Sequence, residues 1–284
     1  MSLTLIANSL ALSSLYIMMA SGLALIYGLR GVLNFGHGAI YMVGAYLGYT
    51  LGSIMGFWPA VFMVPLIMGL SGLLLEVFVL RPLNARSHIE VALVTFGIGL
   101  ILAHGIIWIY GGFPQSVSGP AGLAGSVDLL GVEYPAYRLF LIVIGLGSVA
   151  ALACWLNFSR MGMFVRAVSQ NPQVSSMMGI NAGRLSLFVS CLSTGFAGLA
   201  GVLVGPYLSI DPGMDIAMII NCMIIVVIGG TGSLFGAILA SILFGFVQTF
   251  GAVHTPGLAV LLPYLLLICV LVWRPQGLGR GRAA

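Results

Sequence analysis

The chain has 284 residues, of which 60% are hydrophobic and only 6% charged. A soluble domain carries about 25% charged residues, so a water-facing globule is excluded and a polytopic integral membrane protein is indicated. The net charge of +4 comes from arginines scattered through short loops, with no lysine at all; that distribution fits the positive-inside rule and offers no basic patch to nucleic acid.

In chain order, hydropathy predicts spans near Leu5–Leu29, Ala39–Phe57, Pro59–Leu80, Val91–Tyr110, Leu139–Phe158 and Leu185–Val204, followed by Ile216–Ile228, Leu234–Phe250 and Leu258–Trp273. A bilayer core takes about 20 apolar residues per helix. Most of these runs qualify, whereas Ile216–Ile228 and the region around Asn34 are short or glycine-broken. The expected architecture is a single all-α domain over 1–284, a bundle of nine transmembrane segments, or of eight with one piece re-entrant. The first basic residue, Arg30, follows the first apolar run, so the positive n-region of a cleavable signal is missing.

Arginine placement predicts sidedness. Arg30, Arg81, Arg86, Arg160, Arg166, Arg184, Arg274, Arg280 and Arg282 can share the cytoplasmic side. The segment 111–138, with Asp128 and Glu133 against Arg138, is expected outside, as are Asp211 and Asp215. Parity then puts the N-terminus outside.

Two stretches echo one another. GLRGVLNFGHGAIYMVGAYLGY and VVIGGTGSLFGAILASILFGFV both run apolar, glycine break, Gly-Ala-Ile, apolar. Paired glycine-broken helices in the two halves of a transporter mark a translocation path; the plainer reading is close helix packing through glycine. On the first reading Asn34, His37, Tyr41, Thr231 and Ser233 line the path, because irregular backbone survives in a membrane only when buried or beside water.

Glu76 is the one acid placed inside a span, and Arg81 or Arg86 is its predicted partner. A mechanism coupled to protons or sodium through carboxylates therefore has little to work with. His37, His88, His104 and His254 lack metal-ligand spacing. Cys154, Cys191, Cys222 and Cys269 lie in apolar runs as packing residues, so neither metal nor cofactor is expected. The phosphate loop G-x-x-x-x-G-K-[ST] is impossible without lysine. If transport is driven by ATP, another chain must bind the nucleotide.

Between two uncharged runs lies a polar island, 159–184, reading SRMGMFVRAVSQNPQVSSMMGINAGR. Asn171 is a favoured N-cap, Pro172 suits the first helical position, and Gly179 is a natural left-handed terminator. Val174, Met177 and Met178 fall at i, i+3, i+4 as one apolar stripe, with Ser175 on the opposite side. So short a helix is unstable alone and too polar to cross the bilayer. It suits a partner's groove, with lipid-surface binding as the other reading.

The chain resembles the membrane permeases of branched-chain amino acid ABC importers. The matching pieces are NFGHG (34–38), Glu76 with Arg81-Pro82, SRMG (159–162), Arg166-Ala167, MGIN (178–181), GGTGSLFGA (229–237) and RPQGL (274–278), in the family's order along nearly the whole chain. The resemblance implies a multi-pass subunit of the bacterial inner membrane that performs no covalent chemistry. It would work with a homologous second permease, two cytosolic ATPases and a periplasmic binding protein. Arg166, Asn171, Pro172, Val174, Met177, Met178 and Gly179 would form the coupling segment on an ATPase. Where the family's loop often carries acids, this chain has Ser169-Gln170-Asn171. Permeases with the same motifs also import urea, short amides or other amino acids. From the residues alone, a secondary transporter or channel working without ATPases remains a further alternative.

Overall fold

A computed structural model describes residues 2–129 and 131–279; Arg280 and Arg282 lie outside the described residues. The apolar runs become α1 (Ser2–Arg30), α2 (His37–Met55), α3 (Phe57–Leu75), α4 (His88–Tyr110) and α5 (Ala136–Phe158). The polar island forms α6 (Arg160–Gln170) and α7 (Pro172–Met177). Then follow α8 (Ala182–Val204), α9 (Met214–Gly229), α10 (Leu234–His254) and α11 (Leu262–Trp273). Six of these helices, α1, α3, α4, α5, α8 and α10, are long and apolar enough to cross a membrane. The expected eight or nine segments are reached only by adding the 19-residue α2 and the shorter α9 and α11.

The all-α expectation needs one amendment. Ser126–Leu129 (β1) and Val132–Pro135 (β2) pair antiparallel, turning at Gly131 with φ +82°. Asp128 accepts from the Gly131 amide at 2.7 Å, which closes the turn.

α1 is the axis of the bundle, with Ile17, Met18, Met19, Ala20 and Leu23 wholly buried. It packs against α5, α8 and α10, while α8 also holds α2 and α3. Small residues permit that closeness: a Cβ on Gly44 would stand 2.8 Å from the Gly198 Cα, and one on Gly198 would stand 2.7 Å from Met68. Without a hydrophobic drive between helices in lipid, such backbone approach supplies the van der Waals packing.

One buried ion pair crosses the bundle, and its partner differs from the predicted one. Glu76, 1% exposed, pairs with Arg30 at the end of α1. Arg86 instead meets Glu90 at 3.7 Å, and Arg81 lies beside Gly183. Ser190 donates to Glu76 at 2.8 Å, and Arg30 also donates to Ser186 (2.9 Å), Asn84 (2.7 Å) and the Leu80 carbonyl (3.1 Å). The backbone leaves α-helical geometry here: Glu76–Leu80 is a π-turn, with the Arg81 amide donating to the Glu76 carbonyl.

The two ends of the bundle differ. At one, Arg138 donates to Asn8 at 2.6 Å and lies over the Tyr207 ring, and Gln115 pairs with Ile210 through the backbone. The segments 111–138 and 205–213, both expected outside, thus meet. Burial pushes the phenols of Tyr134 and Tyr207 above their ordinary range, and the nearby Arg138 opposes the shift. The opposite end gathers Arg30, Arg81, α6, α7 and the second glycine break.

Candidate functional site

The polar island is two helices meeting at Asn171. Ser159 caps α6, accepting from the Gly162 amide at 2.9 Å. Gly162, Val165 and Val168 form the buried face of α6, a three-residue spacing that marks the helix in the sequence once it is looked for. Arg166 is exposed; its guanidinium donates to the Leu156 carbonyl and to Asn157 at 3.2 Å, folding α6 back onto the end of α5.

Asn171 then caps α7, accepting from the Val174 amide at 3.1 Å, with Pro172 in the first turn. Gly179 (φ +80°) ends the helix. Its amide reaches the Ser176 carbonyl at 3.0 Å and the Ile180 amide reaches Ser175 at 3.1 Å, a Schellman arrangement. Both ends of this six-residue helix are fixed by local bonds, which offsets its short length.

The apolar stripe faces outward from the protein. Met177 is 85% exposed, Met178 77% and Val174 50%, while Ser175 is 4% exposed. The small hydroxyl residue is therefore the side by which α7 sits on the protein, and the large flexible side chains stand free. Ser175 was expected only to lie opposite the stripe; it is buried as well.

The second glycine break meets the end of α1 beside α6. Gly232 has φ +83°, and a Cβ there would stand 3.1 Å from the Gly28 Cα. Ser169 of α6 donates to the Gly28 carbonyl at 2.6 Å. A cavity of about 700 Å³ opens at this junction, lined among others by Tyr27, Asn157, Arg166, Gln170 and Thr231. From below, the segment after α11 seals the second break: the Leu278 and Gly279 amides donate to the carbonyls of Ile228 and Gly229, both at 2.8 Å.

The five residues read as path-lining divide into two groups. Asn34, His37 and Tyr41 are buried. Asn34 accepts from the Gly36 amide at 3.0 Å, and the His37 Nε2 lies 3.3 Å from the Met19 carbonyl oxygen. Among the described residues, the Asn34 Nδ2 and His37 Nδ1 have no hydrogen-bond partner. Thr231 is exposed, and Ser233 is a half-buried N-cap accepting from the Gly236 amide at 3.1 Å. Among the described residues, no three His, Cys, Asp or Glu side chains are grouped as a metal site.

The family described as "Branched-chain amino acid transport system / permease component" matches residues 5–271. The permease protein BraD of the high-affinity branched-chain amino acid transport system of Pseudomonas aeruginosa is 28% identical, over 97% of this chain and 95% of its own length. The corresponding LivH of Escherichia coli K12 is 24% identical over 96% and 94%. LivM of the same organism is 28% identical over 94% of this chain and 68% of its own. Among solved structures, PsaBC from Streptococcus pneumoniae, in complex with Fab, superposes with a TM-score of 0.51 at 17% identity, covering 93% of this chain and 90% of that one. At that identity the likeness concerns the fold alone.

Proposed function

The chain belongs to the branched-chain amino acid transport system permease family, and from that premise we propose that it is the membrane subunit of an ATP-driven importer of leucine, isoleucine and valine in the bacterial inner membrane. The observation that carries the coupling half of this reading is the Val174–Met177–Met178 stripe, presented outward on a helix capped at both ends. A free apolar stripe of this kind suits the groove of a partner, and adaptable methionines suit a contact that moves through a cycle. Two cytosolic ATPases would take α7, a homologous permease would complete the membrane domain, and a periplasmic binding protein would deliver cargo to the hairpin end.

In this reading nucleotide binding draws the ATPases together, and α6 and α7 carry that displacement to the glycine breaks, switching the bundle between two accesses. The chain itself performs no covalent chemistry. Reconstitution with partner ATPases, a second permease and a binding protein tests the whole. Uptake of labelled leucine that needs ATP and every component is expected. Leucine uptake by this chain alone, or uptake of urea or acetamide to the exclusion of leucine, would overturn it.

A further inference from the structure

Three polar side chains far apart in sequence meet at the middle of the bundle. The Asn221 Nδ2 of α9 donates to the Tyr16 hydroxyl of α1 at 3.1 Å, and that hydroxyl donates to the Gln248 Oε1 of α10 at 2.7 Å. Tyr16 stands midway along the 29-residue α1, about 21 Å from either end at 1.5 Å per residue, deep within a hydrocarbon layer of about 30 Å. Phe244 packs edge-on against its ring at 5.1 Å.

The direction of the relay decides what remains. The Asn221 amide uses one of its two N–H donors on Tyr16 and keeps its carbonyl oxygen free; Gln248 accepts through its carbonyl oxygen and keeps its NH2 group. Neither of these remaining atoms has a protein partner among the described residues. Both side chains are half-buried, so the pair is not sealed inside this chain. Amides opening onto lipid at this depth would lose hydrogen bonds without compensation, which argues for a wet or cargo-filled space. One turn before Asn221 on the same face of α9, Ala217 is exposed and Met218 half-buried, an apolar flank.

We propose that the Tyr16–Asn221–Gln248 relay is a contact for cargo in the translocation path, in which the Asn221 carbonyl oxygen accepts from the α-ammonium of a passing amino acid and the Gln248 NH2 donates to its α-carboxylate. The proposal rests on the importer reading above and adds to it where the zwitterion is handled. Two neutral amides hold a zwitterion weakly, and a path needs contacts favourable enough for entry yet weak enough for exit. The donor and acceptor are separated by a tyrosine that fixes both, so the pair is set in advance of cargo.

The test uses the full complex in proteoliposomes, with labelled leucine and saturating binding protein. Asn221→Leu and Gln248→Met keep size and remove the free groups. Each is expected to lower leucine uptake about tenfold, the scale of one hydrogen bond to a charged group, with ATP hydrolysis stimulated by the binding protein still running. Gln248→Glu, which retains a polar head but replaces the donor with an acceptor, should impair uptake as much as Gln248→Met. In a background lacking the four native cysteines, Asn221→Cys and Gln248→Cys should react with a small hydrophilic thiol reagent in at least one nucleotide state. This arm decides the matter if the first variants fail to fold. Uptake unchanged in both size-matched variants, or no modification at either cysteine in any state, overturns the contact while leaving the importer reading intact. A wild-type complex that moves no amino acid overturns both.

Discussion

The hydroxyl of Ser169 donates to the carbonyl oxygen of Gly28 at 2.6 Å. That carbonyl is in the last turn of α1, where helix geometry leaves it without an amide partner. The bond therefore ties the amphipathic α6 to the most enclosed helix of the bundle, at the point where Gly28 lies against Gly232. A movement of α6 reaches the end of α1 and the second glycine break without passing through a loop.

Removing that tie should weaken coupling more than assembly. Ser169→Ala loses a hydrogen bond of about 1 kcal/mol, and import is expected to fall several-fold while the ATPases still co-purify. Gly232→Ala should be more severe, because a Cβ there meets the Gly28 backbone at 3.1 Å and φ is +83°. Paired uptake and pull-down measurements check both; wild-type uptake in Gly232→Ala would remove the breaks from the mechanism.

The stripe on α7 makes a second prediction. Met177→Glu puts a charge into a desolvated groove at a cost of several kcal/mol, so import should collapse and the ATPases should dissociate more readily. Gln173→Glu adds the same charge at an exposed position in the first turn of α7, where the helix dipole favours it, and should do little. Equal losses from the two would show that the stripe is not the contact with the motor. Ser175→Glu cannot serve as that control, since its side chain is buried.

The buried pair predicts a stability pattern. Arg30→Met alone leaves Glu76 uncompensated and should destabilise the chain by about 3–5 kcal/mol. Arg30→Met with Glu76→Leu should recover much of that loss, as replacing both partners of a buried pair commonly does. Thermal unfolding in detergent reads the difference.

Cysteine accessibility separates the two groups of path residues. In a background free of native cysteines, Thr231→Cys should react with a small thiol reagent in the resting state. Asn34→Cys and His37→Cys, both buried, should react only in a nucleotide state that opens the first break. Protection of both in every state would make them packing residues.

ATP hydrolysis provides the last check. The isolated chain, with no lysine for a phosphate loop, should hydrolyse no ATP, and the full complex should do so under stimulation by cargo.

Local rules made much of this legible. The apolar runs foretold the long helices to within a few residues, because 20 apolar residues at a stretch leave the backbone few other choices in lipid. Asn171, Pro172 and Gly179 announced α7, since caps act over three or four positions. What stayed hidden was pairing across distance. Glu76 had two arginines close by in sequence and chose Arg30, 46 residues earlier, because the end of α1 enters the bundle beside the π-turn. The relay of Tyr16, Asn221 and Gln248 spans separations of 205 and 232 residues; no spacing in a single chain encodes it. The β-hairpin was missed because Gly and Pro around it mask two four-residue strands.

The seal beneath the second glycine break has a bearing on how the protein is made. Ile228 and Gly229 receive their backbone partners from Leu278 and Gly279, so those carbonyls wait about 50 residues of synthesis for satisfaction, roughly 3–10 s at bacterial elongation rates. The α9–α10 junction is thus finished late, after the helices around it have been inserted. A nascent chain stalled before residue 278 would leave the Ile228 and Gly229 carbonyls without these partners.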